Sequence, residues 1–280
     1  MNATLLPDAL NLETAQDLLL YRYQTTEDIT KTKIILSKNT ISFLKNGVKG
    51  VFGDDKNIHT AEECFVMMKS GNCLMTETVS SAHKNFESIL LFFTDEAILQ
   101  FLERHKFDLS KPVDNRAIYS FEYDNYIRRF VLSLEQVLQF PKDLQTEILK
   151  HKFEEIMLYL VHKYSVDFLK ALVQNIDNKL SRLISIAENN KHNKLSMEEL
   201  AFLCNMSIST FKRTFQKHYQ TTPMKWFTEQ RLNYTAFMLQ TKRNRPVDIY
   251  EDAGYENLSN FVQAFKRKFG VTPKQYQMSI

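Results

Sequence analysis

A motif that occurs twice near the C-terminus constrains the fold of this chain more than any other feature. The first copy has aromatic residues spaced by four, then Thr-Pro, then another aromatic: Phe211, Phe215, Tyr219, Thr222-Pro223 and Trp226. The second copy repeats the pattern about fifty residues later: Phe261, Phe265, Phe269, Thr272-Pro273 and Tyr276. Aromatics at every fourth position form one stripe on a helix, and Thr-Pro ends that helix and begins the next. The sequence therefore predicts one helical unit built twice.

A short helical segment and a turn precede each copy of the motif. Ser196 with Glu199 has the form of a capping box and opens the first of these segments. Asn205 and Gly254 stand in the two turns, and both residue types tolerate a left-handed backbone. Helix, tight turn and helix is the helix-turn-helix arrangement, so residues 177–280 should form an all-α domain of seven helices with two such units.

The two units also share a set of residues at fixed spacing with a known family. These residues are Leu200-Ala201, Ser207, Ser209, Phe211, Arg213, Phe215, Thr222-Pro223, Arg231-Leu232, Gly254-Tyr255, Phe261, Phe265-Lys266, Gly270-Val271-Thr272-Pro273 and Tyr276. Because of these residues, the last hundred residues of the chain resemble the AraC/XylS family of bacterial transcription regulators. The resemblance implies an activator that binds double-stranded DNA in the cytoplasm, and it allows RNA polymerase as a further partner. Family members usually have alanine after the position of Ile249, and Tyr250 stands there in this chain, which bears on how tightly the second unit packs.

The first two thirds of the chain change from β to helical character. Short apolar runs separated by turn residues predict strands up to Phe93, the last of them at residues 86–93. Periodic segments then predict long helices at residues 121–139 and 143–164. The predicted fold class is α+β, with a cupin-like small β-barrel in residues 1–112 and a helical connector in 113–176. This layout is similar to the regulatory domain and dimerisation helices of the same family, so residues 121–164 are predicted to form a homodimer.

Charge is unevenly distributed along the chain. Residues 177–280 hold 16 of the 36 Lys and Arg but only 9 of the 33 Asp and Glu, and the remainder is mildly acidic. A basic terminal third indicates a module that binds a polyanion, although a chance imbalance of surface charge is the alternative.

We find no nucleophile motif, phosphate loop or paired metal ligands, and no apolar run long enough for a membrane span. The sequence thus predicts no enzyme, no cofactor and no metal site. An enzyme that modifies or repairs DNA and a non-specific architectural DNA binder are the alternative classes.

The residues opposite each aromatic stripe are the candidates for contact with DNA. A recognition helix lies in the major groove and presents the side chains opposite its core. In the first unit these are Ser209, Thr210, Lys212, Arg213, Gln216 and Lys217. In the second unit they are Ser259, Asn260, Gln263, Lys266 and Arg267. The resemblance implies the same faces for Ser209, Lys212, Arg213, Ser259 and Gln263. Arg213 can pair with guanine and Gln263 with adenine, whereas Lys217, Lys266, Arg267 and Lys268 are expected to contact phosphate. If only one such helix were present, the simpler interpretation would be that these polar side chains are merely exposed to solvent and do not contact DNA.

The β region has its own candidate site, because a small barrel can hold a ligand in its mouth. The predicted lining is Phe43, Phe52, Phe65, Met67, Met68 and Phe93, for each of which plain core is the alternative. The sequence does not show whether the effector that controls the protein is a small molecule or another protein. Residues 153–157 and 210–212 resemble the family subgroup that partner proteins control in type III secretion, which favours a protein.

Overall fold

The computed structural model describes residues 3–53, 57–107, 117–173, 179–241, 244–251 and 253–278. They form two compact units, Met1–Asp177 and Asn178–Ile280. The first unit holds all the described β-strands and the second is helical, so the predicted α+β class is confirmed. The strands are β1 Thr4–Leu6, β2 Leu18–Thr25, β3 Ile29–Leu36, β4 Asn39–Asn46, β5 Val48–Phe52, β6 Asn57–Thr60, β7 Cys64–Met68, β8 Gly71–Thr78, β9 Phe86–Phe93 and β10 Ile118–Glu122.

These strands form two five-stranded sheets. Sheet A has the order β1-β3-β8-β5-β6, and sheet B has the order β10-β7-β4-β9-β2. Only the β1–β3 pair among the described strands is parallel. Ile34, Val51 and Met75 of sheet A share a core with Val66 and Met68 of sheet B. Because apolar side chains of both sheets meet in one layer, the sheets are stacked face to face as a sandwich.

Sheet B is buried on both faces. All eight residues of β9 are buried, which explains why Phe86–Phe93 reads as a continuous apolar run. Leu90 and Phe92 belong to the layer facing sheet A, whereas Ile89 and Leu91 pack under helices. Those helices are α1 Asp95–His105, α2 Asn125–Val137, α3 Lys142–Tyr164 and α4 Asp167–Val173. The unit therefore has three layers: sheet A, sheet B and a helical cover.

The start of the helical cover differs from the sequence prediction. The helix predicted from residue 121 begins at Asn125, because Ile118–Glu122 instead pairs with β7 at the edge of sheet B. Asp124 caps α2 by accepting a hydrogen bond from the backbone N–H of Ile127 at 2.9 Å. The predicted connector helices pack on sheet B within the first unit. The domain boundaries predicted near residue 112 and residues 174–177 lie outside the described residues.

The second unit consists of seven helices in the described ranges, as predicted. They are α5 Lys179–Asn189, α6 Met197–Leu203, α7 Ile208–Tyr219, α8 Pro223–Thr241, α9 Pro246–Ile249, α10 Leu258–Phe269 and α11 Pro273–Met278. The long helix α8 contributes to two cores, since Phe227 packs on Phe215 of α7 and Leu232 packs with Phe261 of α10. Across the described parts of the chain, no helix is long and apolar enough to span a bilayer.

Candidate nucleic-acid interface

The turns of the two predicted helix-turn-helix units have the same backbone geometry. In the first, the N–H of Met206 donates to the carbonyl of Ala201 at 2.9 Å, and Asn205 between the helices has φ of 53°. In the second, the N–H of Tyr255 donates to the carbonyl of Tyr250 at 3.1 Å. Gly254 there has φ of 89°. Both turns close the preceding helix by a left-handed residue, which glycine and asparagine adopt at least cost. The sequence repeat is therefore a structural repeat.

A half-buried arginine side chain supports each turn from an earlier helix. Arg182 of α5 donates from Nε to the carbonyl of Leu203, and Arg231 of α8 donates from Nε to the carbonyl of Ala253, both at 3.1 Å. The bond to Leu203 satisfies a carbonyl that the end of α6 leaves without an intrahelical partner, and the bond to Ala253 holds the second turn. A Cβ at Gly254 would lie 2.9 Å from Nε of Arg231, so glycine also makes room for the arginine. Burial lowers the pKa of the Arg231 guanidinium.

The aromatic stripes of α7 and α10 form equivalent clusters. Phe215 lies 4.4 Å from Tyr219 and 5.6 Å from Trp226 between ring centroids. Phe265 lies 4.4 Å from Phe269 and 5.4 Å from Tyr276. In both units the last aromatic comes from the helix that Thr-Pro begins, so that helix closes over the stripe. The stripe faces inward, and it fixes which face of each recognition helix remains outside.

Tyr250 does not disturb the second unit. Its backbone carbonyl takes part in the turn, as the carbonyl of Ala201 does in the first unit. The ring packs at the edge of the core that contains Phe261 and Phe265. Its hydroxyl donates to Oε1 of Glu251 at 3.0 Å. The larger side chain is therefore accommodated with its polar end outside, and both units keep the same turn.

The predicted DNA-contacting side chains lie on the outer faces of α7 and α10. In α7, Ser209, Lys212, Arg213, Gln216 and Lys217 are exposed and Thr210 is half-buried. In α10, Ser259, Asn260, Gln263, Lys266 and Arg267 are exposed. Within the ranges that the structure describes, none of the five cationic side chains forms an ion pair with a carboxylate. Their charge is therefore available to an external anion.

The first turns of both recognition helices are occupied by capping interactions. Ser207 accepts a hydrogen bond from the N–H of Thr210 at 3.2 Å, and Asn257 accepts one from the N–H of Asn260 at 2.9 Å. The hydroxyl of Ser207 also lies 3.0 Å from that of Ser209 and 2.9 Å from that of Thr210. Ser209 and Thr210 therefore help to organise the helix start as well as lying near the outer face.

Lys268 departs from the sequence prediction that grouped it with the phosphate-binding cations. It is half-buried, and its Nζ donates to the backbone carbonyl of Glu229 in α8 at 2.8 Å. Burial lowers the pKa of the Lys268 ammonium, with a smaller opposing effect from Glu229. The side chain joins α10 to α8 and does not belong to the outer face. The sequence does contain a sign of this placement, because Lys268 directly precedes Phe269 of the inward-facing stripe.

The predicted ligand lining of the β region does not surround a common cavity. Phe43, Phe65, Met67 and Phe93 lie on the face of sheet B that the helices cover. Phe52 alternates along β5 with the inter-sheet residue Val51, and its ring contacts His59 with centroids 5.4 Å apart. None of these five lines the cavity between the sheets, whereas Met68 does. Alternation along a strand explains the result, because neighbouring residues face opposite layers.

Histidine, cysteine and carboxylate side chains are scattered over the described residues. No cluster of three or more His, Cys, Asp or Glu residues suitable for a metal ion occurs there. Cys64, Cys73 and Cys204 are not joined to one another by a disulfide bond. The geometry that remains is a tandem pair of helix-turn-helix units with outward cationic faces, preceded by a β-sandwich unit.

Comparisons with known proteins agree with this arrangement. The family described as the ExsA N-terminal regulatory domain matches residues 39–172, and a helix-turn-helix domain family matches residues 200–279. The thermoregulatory protein LcrF of Yersinia pestis is 27% identical over 138 residues, which are 49% of this chain and 51% of LcrF. The regulator ExsA of Pseudomonas aeruginosa is 27% identical over 125 residues, 44% of this chain and 45% of ExsA. The match thus spans about half the length of these relatives.

Among solved structures, ToxT of Vibrio cholerae aligns with 94% of this chain and 98% of its own, at 12% identity and a TM-score of 0.42. The fold and the paired units define a helix-turn-helix protein with an N-terminal regulatory unit. The chain belongs to the AraC/XylS family.

Proposed function

We propose that the protein is a sequence-specific DNA-binding transcription regulator, an activator, that reads two successive major-groove segments. The observation that carries this proposal is the structural equivalence of α7 and α10. Each has the same turn before it, the same aromatic core behind it, and unpaired cations on its outer face. The 19 residues of α8 correspond to about 28 Å of helix, comparable with the roughly 34 Å between major-groove segments on one side of a duplex.

In this proposal the two recognition helices divide their contacts between bases and phosphates. Arg213 makes bidentate hydrogen bonds to guanine and Gln263 to adenine, since their side chains have the matching donors and acceptors. Lys217, Lys266 and Arg267 contact phosphates, which orient each helix without specifying sequence. The protein acts in the bacterial cytoplasm, performs no chemistry on DNA, and as an activator meets RNA polymerase at the promoter.

The function is tested by selecting binding sites from a random DNA library with the full chain. We expect enrichment of a bipartite site whose two blocks lie about one helical turn apart. Affinity for that site should exceed affinity for scrambled DNA by about a thousandfold or more at the same salt concentration. Binding without an enriched sequence but with a steep salt dependence would identify an architectural binder. Base modification or strand cleavage in the recovered DNA would identify an enzyme.

We also propose that α2 and α3 form a homodimer. Leu144 and Leu158 are exposed and lie two heptads apart, hence on one face of α3, and Leu132 of α2 is 58% exposed. Large apolar side chains exposed along paired helices are typical of an interface. Sedimentation at micromolar concentration should give twice the 33.0 kDa chain mass, and Leu132→Glu with Leu158→Glu should shift it towards the monomer. A monomeric mass for the unsubstituted chain would contradict the dimer.

A further inference from the structure

The internal repeat includes the helix that precedes each helix-turn-helix unit. Arg182 of α5 precedes the turn residue Asn205 by the same number of positions as Arg231 of α8 precedes Gly254. In both helices the residue after the arginine is a buried leucine. The two arginines therefore occupy equivalent places beside the core, and their hydrogen bonds to the turns are part of the repeat.

The side chain of Arg231 is held at two points. Its Nε donates to the carbonyl of Ala253 at 3.1 Å, and its Nη2 lies 3.5 Å from Oγ1 of Thr228 in the same helix. The guanidinium group is half-buried, and it forms no ion pair with a carboxylate in the part of the chain that the structure describes. Because burial of a cation without a counter-charge costs free energy, an apolar side chain would fill this place at lower cost. The planar group instead fixes one backbone carbonyl in a defined direction.

The two arginines bond to different carbonyls of their turns. The Nε of Arg182 donates to a residue 21 positions further along the chain, and the Nε of Arg231 donates to one 22 positions further. The first acceptor, Leu203, is the last residue of α6. The second acceptor, Ala253, directly precedes the left-handed Gly254. The second arginine therefore holds the turn itself, whereas the first holds the end of the helix before it.

The residue type in each turn explains this difference. A Cβ at Gly254 would lie 2.9 Å from Nε of Arg231, which is closer than side-chain carbons approach other atoms. Asn205 carries a Cβ at the equivalent position, so an arginine placed like Arg231 would not fit there. Asparagine thus keeps the Nε of Arg182 at the end of α6, and glycine admits Arg231 to the turn.

We propose that Arg182 and Arg231 are positioning residues for DNA recognition, each setting the angle at which the recognition helix of its own unit enters the major groove. The inference rests on the proposed function, because it concerns the two helices that are assigned to DNA there. Neither guanidinium group contacts DNA, and each acts through the backbone of a turn that lies a few residues before the recognition helix. The N-terminal residues of such a helix contact base edges, so a small shift of the turn displaces them.

The test measures discrimination at each block of the selected bipartite site, with one block scrambled at a time. Arg213→Ala identifies the block that α7 contacts. We expect Arg231→Met to lose about tenfold in discrimination at the other block and to keep the discrimination at the α7 block. Arg182→Met should show the reverse. Affinity for fully scrambled DNA should stay unchanged in both variants, because the cations that contact phosphate remain.

Gly254→Asn tests the same role without removing the arginine. Asparagine tolerates the left-handed backbone, but its Cβ would displace Arg231 from the carbonyl of Ala253. Alone, this substitution should cause the same loss at the α10 block as Arg231→Met. Combined with Arg231→Met it should add nothing, whereas two independent losses of stability would add. The fluorescence of Trp226 shows that each variant is folded, and Gly254→Asn decides the matter where Arg231→Met does not fold.

Two results would overturn the positioning role. One is unchanged discrimination at the α10 block in both Arg231→Met and Gly254→Asn. The other is an equal loss at both blocks, which would indicate a general weakening of the domain. A selection that yields no bipartite site would contradict the proposed function instead, before any arginine variant is measured.

Discussion

Replacing Arg213 with alanine is expected to weaken promoter-specific binding strongly while leaving the fold intact. The side chain is exposed on the outer face of α7, and it forms no ion pair with the described residues. Alanine is a good helix former, so the helix should persist. A bidentate contact to guanine contributes about 1–3 kcal/mol of discrimination, which is about 5- to 150-fold in the dissociation constant. Titration of the variant with the selected site and with scrambled DNA measures the loss.

Lys217→Ala is the matched control on the same helix. A lysine that contacts phosphate contributes equally on every sequence, so this variant should weaken binding to selected and scrambled DNA alike. It should also reduce the slope of log affinity against log salt by about one. If Arg213→Ala kept the affinity and the sequence preference of the unsubstituted protein, the outer face of α7 would not be the surface that contacts the bases.

Phe215→Ala is expected to have the largest effect on the stability of the second unit. Its ring is fully buried and contacts Phe211, Tyr219, Trp226 and Phe227. Removing a buried phenylalanine side chain costs about 3–5 kcal/mol, which is a large part of the free energy of unfolding of a domain this size. Trp226 is the only tryptophan of the chain and lies against Phe215, so its fluorescence during urea unfolding follows this core.

Two further variants make that experiment specific. Met224→Ala removes a large apolar side chain from α8 where it is 69% exposed, and it should change the free energy of unfolding by less than about 0.5 kcal/mol. Phe265→Ala creates the equivalent cavity in the other unit. Since α8 contributes to both cores, this variant should also shift the Trp226 transition. Unchanged unfolding at Trp226 would show that the two helix-turn-helix units unfold separately.

The second unit was predictable from sequence because its signals are local. Aromatic spacing, Thr-Pro and the turn residues Asn205 and Gly254 act within a few positions, and each formed the expected element. The outer faces followed from the same stripes. Lys268 could not be placed in this way, because its hydrogen bond to Glu229 depends on how α10 packs on α8.

The first unit was less predictable because its interactions are distant in sequence. The apolar residues of β9 gave no indication of which face meets the helices and which meets sheet A, since both faces are buried. The predicted lining at Phe43 and Phe93 followed from that ambiguity. The strand β8 contains Thr76, Glu77 and Thr78 and lacks a clear apolar run. Its Glu77 would be read as solvated, and only pairing with β5 reveals its buried partner Lys49.

The most direct test of the central claim is a hydroxyl-radical footprint of the full chain on its selected binding site. Two equivalent recognition helices joined by α8 predict two protected patches on one side of the duplex, separated by about one helical turn. Arg213→Ala should remove one patch and weaken the other, because the second helix retains its own contacts. A single protected patch, or uniform protection that does not depend on the DNA sequence, would contradict the claim that both helix-turn-helix units contact specific bases.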